Sequence, residues 1–555
     1  MVGKTLTDSQ QLSPDVQLTI ERYGEFIAAG SWDKVELLTW PPDVFALTAS
    51  ILLKSGAYCH AVSGWEGRRS LDKWIKQIGT LGKKWQDDVE QPPASVRRWH
   101  KTIVARKETL IFDAAKDADL CDALLQLCAA ADEACKGVGF GLYGPPNEFQ
   151  FNASLLMAYS GWEAGVSTLC KRVHHSIVRV LPKLHTPQSG ITIRSLSHHL
   201  ALCPAGDVKG KWTERMRPQN ASEHCLNLLL IPWPLKVSPA DFKKVDPKKS
   251  ELPNMPKEFG FFEYDPSETK GIDPLRELKG WLDQACRAVG KIHGVVFPEL
   301  ALTTPQYSKI SSFLVKKGIF FIAGVRERAK NRESAGQNYF RFDIPFLKDH
   351  TVSHKQNKHH RWRLDKRQIV QYGIGSCLDV QPADGPNESK WWEHIALGNR
   401  ELYFVVLDDW LTVCALICED LARQDPVAEL VRAVGPNLVI ALLMDGPQLT
   451  SRWPARYATV LADDPGSSVL TFTSLGMCEM SRPPSIQNSS RVVALWKDAK
   501  TGEAVPIELP RNAQGIILTL SREFENEWSA DGRDDNCSTG YPTLSGINFV
   551  GSAYL

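Results

Sequence analysis

The stretch VCALICEDL, residues 413–421, decides how the rest of the chain is read. A short apolar run delivers Cys418 directly into an acidic pair, Glu419 and Asp420. A thiol at the end of a buried strand is common as mere packing, because free cysteine is among the most buried residue types. Two carboxylates immediately after it are not a packing device, since each needs a partner or water just where the strand leaves the core. The pattern therefore marks Cys418 as a candidate nucleophile. Two other features support it. GVVFPEL (294–300) ends a second apolar run on Glu299, and the lysine-rich segment 355–367 lies between the two.

Working outward from that stretch, residues 225–525 alternate strand-like and helix-like patterns. LNLLLIPWP reads as a buried strand, DPLRELKGWLDQACRAV as an amphipathic helix, and GVVFPEL as the next strand. GIFFIAGVRER, QNYFRFDIPFL, YFVVLDDWLTVCALIC, PNLVIALLMD, SSVLTFTSLG, SRVVALWKD and AQGIILTLS continue the series. So many strands with few helices between them predict a layered α/β/β/α sandwich rather than a doubly wound sheet. Residues 236–268 read as a long polar and aromatic loop.

Before it, residues 1–185 read as an all-α domain. Ser13-Pro14 suits a helix start, Pro41-Pro42-Asp43 opens another helix, and 117–135 places Leu120, Leu124, Leu125, Cys128 and Ala129 on one face. A last long helix is expected over about 148–183, carrying His174-His175 as packed or solvated residues. Residues 186–224 read as a linker or extended segment with ITIRSL as a strand, and 526–555 as a C-terminal tail.

Bulk composition bounds the function. The 555 residues carry a net charge of +1, 43% hydrophobic and 23% charged residues, which describes neither an acidic tail nor a nucleic-acid-coating protein. The 13 cysteines form no CxxC pair or zinc-spaced ladder, so no disulfide framework, structural metal or cofactor is expected, and a cytoplasmic protein fits best. No apolar run reaches the roughly 18 residues of a membrane span, and no signal-peptide core is present.

Glu, then Lys, then Cys is the order in which the nitrilase, or carbon–nitrogen hydrolase, superfamily arranges its functional residues, and the chain resembles that superfamily over about 225–525. VVFPELAL is similar to its glutamate motif and VCALICED to its cysteine strand, the Cys-Glu-Asp form being similar to the glutaminase domains of NAD synthetases. Glu299 to Lys358 spans 59 residues and Lys358 to Cys418 spans 60, both near the family's intervals. The lysine motif is looser: Lys358-His359-His360 matches the family's lysine with histidine two positions on, while Lys355 stands as the alternative. Asp365 is a candidate for the second acidic residue that many members place after the lysine.

The resemblance implies a nitrilase-like sandwich and a cysteine-dependent hydrolase cleaving an amide, nitrile or carbamoyl group of a small molecule. Glu299 would be the general base, Lys358 the oxyanion-stabilising cation, Cys418 the nucleophile, and the backbone N–H of Glu419 a second oxyanion donor. It also implies a homo-oligomer, with Trp65, Trp74, Trp85 and Trp99 as surface candidates. LARQDPVAEL departs from the aromatic-Pro-Glu sequence that follows the cysteine in many amidases, so the pocket wall is expected to be rebuilt. CEDLARQDP, LLMDGPQL and LADDPGSSVL look most like nitrilase-type domains found with bacterial reverse transcriptases in antiphage defence. The competing reading is an inactive assembly or sensor component that binds such a reverse transcriptase or nucleic acid, through Trp362 and the basic residues of 354–367. Cys418 is expected to be the thiol that iodoacetamide alkylates fastest.

Overall fold

The computed structural model describes residues 18–61, 71–140, 146–183, 190–214, 224–245, 259–266, 273–328, 335–347, 350–380, 390–408, 410–481, 489–535 and 539–551. Ser13-Pro14 and Trp65 lie outside them. The N-terminal helices are α1 (Ile20–Ile27), α2 (Pro41–Ser55), α3 (Leu71–Asp87), α4 (Ala94–Ala105), α5 (Ala118–Ala134) and α6 (Glu148–Glu163). Pro41 starts α2 where a missing N–H costs nothing, and Gly56, at φ 74°, ends it in the left-handed region. Asp117 caps α5 by accepting from the N–H groups of Asp119 and Leu120. Helix α2 is buried from Pro41 to Leu52.

The expected long helix over 148–183 stops at Glu163. His174 and His175 sit in the following loop, and β1 (Val178–Pro182) pairs antiparallel with β2 (Leu200–Pro204). ITIRSL is not a strand: Ile193–Leu196 form a single 3-10 turn capped by Thr192. The tryptophans offered as surface candidates are interior, with Trp74, Trp85 and Trp99 all buried and Trp85 Nε1 donating to Leu38 O at 2.9 Å.

The remaining strands in chain order are β3 (Lys209–Glu214), β4 (Cys225–Leu230), β5 (Phe242–Lys244), β6 (Phe259–Tyr264), β7 (Gly294–Thr303), β8 (Phe320–Glu327), β9 (Gln337–Leu347), β10 (His350–Asn357), β11 (Arg363–Leu364), β12 (Lys390–Glu393), β13 (Glu401–Asp408), β14 (Leu411–Ile417), β15 (Leu438–Leu443), β16 (Ser468–Thr473), β17 (Val492–Lys497), β18 (Ala504–Glu508), β19 (Gly515–Glu525) and β20 (Thr539–Val550). The helices among them are α7 (Pro274–Val289), α8 (Thr304–Val315), α9 (Lys366–Gln371), α10 (Glu419–Ala422), α11 (Glu429–Val434), α12 (Trp453–Asp463) and α13 (Leu475–Met480).

Two seven-stranded sheets result, in the orders β10-β9-β8-β7-β4-β19-β20 and β18-β17-β16-β15-β14-β13-β3. Their facing sides share one core that includes Leu228, Val296, Ile322 and Phe342 from the first sheet and Phe404, Leu416, Ile440 and Leu470 from the second. Helices α7 and α8 cover the outer face of the first sheet through Leu278, Trp281, Ile310 and Leu314. Helices α11 and α12 flank the second sheet, with β2 packed on α11. This is the expected α/β/β/α layering, and the central strands β14 and β15 are apolar runs because both of their faces are covered.

Three expected boundaries move. The segment 186–224, read as a linker, supplies β3, which closes the second sheet by pairing parallel with β13. The stretch 526–555, read as a tail, contains β20, an edge strand paired along β19. The polar and aromatic loop of 236–268 holds β5 and β6, which with β11 and β12 make a four-stranded sheet that packs against Leu300, Met444 and Met477 of the sandwich. No helix among the described residues is long and apolar enough to cross a membrane.

Candidate active site

Cys418 directly follows β14, Lys358 directly follows β10 and Glu299 lies within β7, and the fold brings the three together. β14 is buried throughout, and Cys418 is the first residue past its end, at φ 46° and ψ −109°. A β-carbon in that left-handed region is strained, and the conformation is held by Cys418 N–H donating to Leu442 O (2.9 Å) and Leu421 N–H donating to Cys418 O (3.0 Å). The turn presents the thiol at the start of α10.

Glu299 lies within β7, where the register with β8 breaks between Phe297 and Leu302 and Leu300 adopts φ 54°. The bulge turns the Glu299 side chain into the interior. Gly324 of β8 makes room for it: a β-carbon there would stand 2.4 Å from Pro298 O and 2.5 Å from Glu299 Cα. Lys358 leaves the end of β10 with its N–H donating to Asn338 O at 2.9 Å.

The side chains of Glu299 and Lys358 are both completely buried and joined, Lys358 Nζ donating to Glu299 Oε1 at 2.7 Å. A second carboxylate completes the set. Lys358 Nζ also donates to Glu393 Oε2 at 2.7 Å, and Asn338 Nδ2 donates to Glu299 Oε1 (2.7 Å) and Glu393 Oε1 (2.8 Å). Trp362 N–H adds a 3.2 Å bond to Glu393 Oε2. Glu299 Oε2 is left buried with no hydrogen-bond partner.

The electrostatics follow from this geometry. Burial raises the pKa of Glu299, Lys358 opposes the rise, and Glu393 adds to it. Burial works against the Lys358 ammonium, but Glu299, Glu393 and Cys418 more than offset it and hold the group well above its ordinary value. The Cys418 thiol is pushed well above the usual range by burial first and by Glu299 next, with Lys358 pulling the other way. The thiol is therefore protonated and the lysine charged, beside a Glu299 carboxyl with one oxygen free of hydrogen bonds.

Two of the expected site residues are placed elsewhere. Asp365 is exposed and caps α9, its side chain accepting from Gln368 N–H, so Glu393 of β12 occupies the position expected for the second acid. Lys355 is exposed on β10, donates to Gln337 Oε1 at 2.7 Å and lies over the Tyr339 ring. The acidic pair after the cysteine divides its work. Glu419 pairs with Arg423 (3.1 Å), while Asp420 accepts from His359 N–H with both oxygens at 3.1 Å and bonds His360 Nδ1 at 2.9 Å. Asp420 thus ties the loop carrying Lys358 to the turn carrying Cys418.

Among solved structures the chain is similar to Nit3 of Saccharomyces cerevisiae, a nitrilase-superfamily member, at 13% identity over 54% of this chain and 93% of that one, with a TM-score of 0.32. It is also similar to an amidase from Nesterenkonia sp. (12% identity, 54% and 91% covered, TM-score 0.30) and to XC1258 of Xanthomonas campestris, a CN-hydrolase superfamily protein (14% identity, 54% and 90% covered, TM-score 0.31). No protein-family model and no curated protein matches it. At these identities and TM-scores no chemistry transfers; what can be said of chemistry rests on the side chains above.

The basic segment does not form the stacking surface that the competing reading requires. Trp362 is buried among Phe242, Phe262 and Tyr372, Arg361 donates to Ile395 O at 3.1 Å, and Lys358 is inside the site. Neither Glu393 nor Asn338 was singled out from the sequence. QNYF offered a weak sign of Asn338, and KWWE, a four-residue strand ending in an acid, offered none of Glu393.

Proposed function

We propose that the chain is a cysteine-dependent hydrolase of carbon–nitrogen bonds, acting on an amide, nitrile or carbamoyl group of a small molecule. The observation that carries this reading is the buried Lys358 held between Glu299 and Glu393 next to the strained Cys418, with Glu299 Oε2 free. Such an arrangement costs stability as packing, because buried charges must be desolvated, and it supplies what amide cleavage by a thiol requires.

For an amide, Glu299 takes the thiol proton as Sγ forms its bond to the carbonyl carbon, and the electron pair of the C=O bond moves to oxygen. The Lys358 ammonium and the Glu419 N–H stabilise that oxyanion. Its collapse breaks the C–N bond, and Glu299 passes the proton to the departing amine, leaving a thioester on Cys418. Water then adds to the thioester with Glu299 again as base, releasing the acid and restoring the thiol. A base with a raised pKa suits both proton transfers at neutral pH. Glu393 and Asn338 act through the others, keeping Lys358 charged and Glu299 oriented.

The test is ammonia release from a cell metabolite extract, with Cys418→Ala as the blank. Release by the wild type alone supports the reading, and equal release by the two defeats it.

A further inference from the structure

Beyond the three converging residues, the edge of the second sheet carries another buried acid. Ile417 of β14 pairs with Leu442 of β15, so the residues after Leu443 leave the sheet on the same side as Cys418. The second of them is Asp445, 6% exposed. Its Oδ1 accepts from Arg452 Nη2 at 2.7 Å and, more weakly, from the Tyr372 hydroxyl at 3.4 Å. Burial raises the Asp445 pKa, while Arg452, the Gly446 N–H and the Trp453 indole beside the carboxyl oppose the rise, and Oδ2 is buried and completes no hydrogen bond. Cys418 N–H donates to Leu442 O, three residues before Asp445, and the Tyr372 hydroxyl bonds Asp445, so the thiol turn, the acid and the phenol lie at the same end of the sheet.

The remaining surroundings fit one kind of ligand. Tyr372 packs edge-on against Trp362, ring centres 6.0 Å apart, within a buried cluster that also contains Met444. The charged groups around the thiol include four buried carboxyls, Glu299, Glu393, Asp445 and Asp420 with His360 beside it, against the buried Lys358 and the half-buried Arg452. A neutral N–H donor would satisfy Oδ2 and leave the excess negative charge. A carboxylate would be repelled by that excess, and Arg452 is already engaged. A cation satisfies the oxygen and the charge together, and aromatic walls favour it further.

We propose that Asp445 Oδ2 anchors a cationic nitrogen, an ammonium or guanidinium, at the end of the substrate remote from the scissile bond, so that the substrate class is small amides bearing a protonated amine. This rests on the hydrolase reading above.

The experiment is calorimetric titration of the Cys418→Ala protein with glycinamide, 3-aminopropanamide and 4-aminobutanamide, each against its uncharged isostere propanamide, butanamide or pentanamide. At least one amino amide is expected to bind about tenfold or more tightly than its isostere, as a charge-assisted bond to a buried acid would give, and Asp445→Asn on the same background should bring the ratio close to one. Should the Asn variant not fold, Asp445→Ser is read in its place. Equal binding within every pair, no binding of any of the six compounds, or a ratio unchanged by the substitution overturns the proposal. Ammonia release by the intact protein separates the two readings. Selective binding without hydrolysis keeps the anchor and removes the hydrolase, whereas hydrolysis of alkyl amides as readily as amino amides does the reverse.

Discussion

Lys358 is the residue on which the electrostatics of the site turn, because its ammonium bonds two buried carboxylates. Lys358→Met leaves Glu299 and Glu393 facing each other without a cation, and removing one partner of a buried ionic set typically costs about 3–5 kcal/mol. The expected outcome is a large loss of stability in urea denaturation, partly restored when Glu393→Gln is added; additive losses would show that Glu393 does not depend on Lys358. Cys418 is placed so that slow alkylation is expected, against the reading of its motif. It is 3% exposed and its thiol is held protonated, whereas Cys59 and Cys225 are exposed. Mass mapping of iodoacetamide adducts on the native protein should find Cys59 and Cys225 modified before Cys418, since alkylation needs both access and thiolate. If Cys418 is modified first, the buried resting state described here is wrong. The sequence showed Cys418 as a nucleophile candidate because it ends an apolar run, but access depends on the small sheet folded over the sandwich, which no local pattern encodes.

At the scale of elements, the site is made by strand ends and one bulge. Gly324 is the part of β8 that permits the bulge, and the atoms a β-carbon would meet there are backbone of Pro298 and Glu299, which cannot swing aside. Gly324→Ala should therefore shift Glu299, with an overpacking cost of about 1–3 kcal/mol in thermal or denaturant unfolding. It should also lower ammonia release far more than that loss of stability explains. Unchanged turnover in Gly324→Ala would mean that Glu299 does not need its present position. Glu299 and Cys418 were legible because each sits in or just after a visibly apolar run, whereas Lys358 follows the polar strand β10 and was legible only from its place in the order of the resemblance. Glu393 was not, because its role comes from contacts with Lys358, 35 residues away, and with Asn338, 55 residues away. Asp365 misled because acids close in sequence to the lysine are natural candidates, but after Trp362 the chain leaves the site and Asp365 caps a surface helix. Helical periodicity likewise marked the N-terminal helices without telling that Trp74, Trp85 and Trp99 face inward.

Across the whole molecule, the N-terminal helices are bolted to the sandwich by a buried charge cluster. Arg533 Nη1 donates to Asp132 Oδ2 (3.0 Å) and Glu133 Oε1 (2.7 Å) of α5, its Nε bonds Asp531, and its Nη2 donates to Leu196 O at 2.6 Å. Asp132 also accepts from the N–H groups of His198, His199 and Leu200, and His198 Nε2 bonds Arg533 O. Burial raises the Asp132 pKa, but Arg533 and the two histidines bring it down to about 2, while burial lowers His198 and His199 to about 4. A histidine whose folded pKa is depressed contributes stability that is full above its unfolded value of about 6.5 and is lost as pH falls through that value toward 4. Asp132 is depressed too, but its contribution is lost only below its unfolded value, so it does not act in this window. Asp43, which burial raises to about 6, works in the opposite sense, gaining stability as pH falls through 6. The raw pH dependence of unfolding therefore mixes opposing groups, and a difference isolates the histidine. The melting temperature of the wild type minus that of His199→Gln should fall between pH 7.5 and pH 5, because only the wild type must protonate His199 to unfold into its favoured state. A difference that stays constant over that interval would show that His199 is not held neutral by its burial against α5.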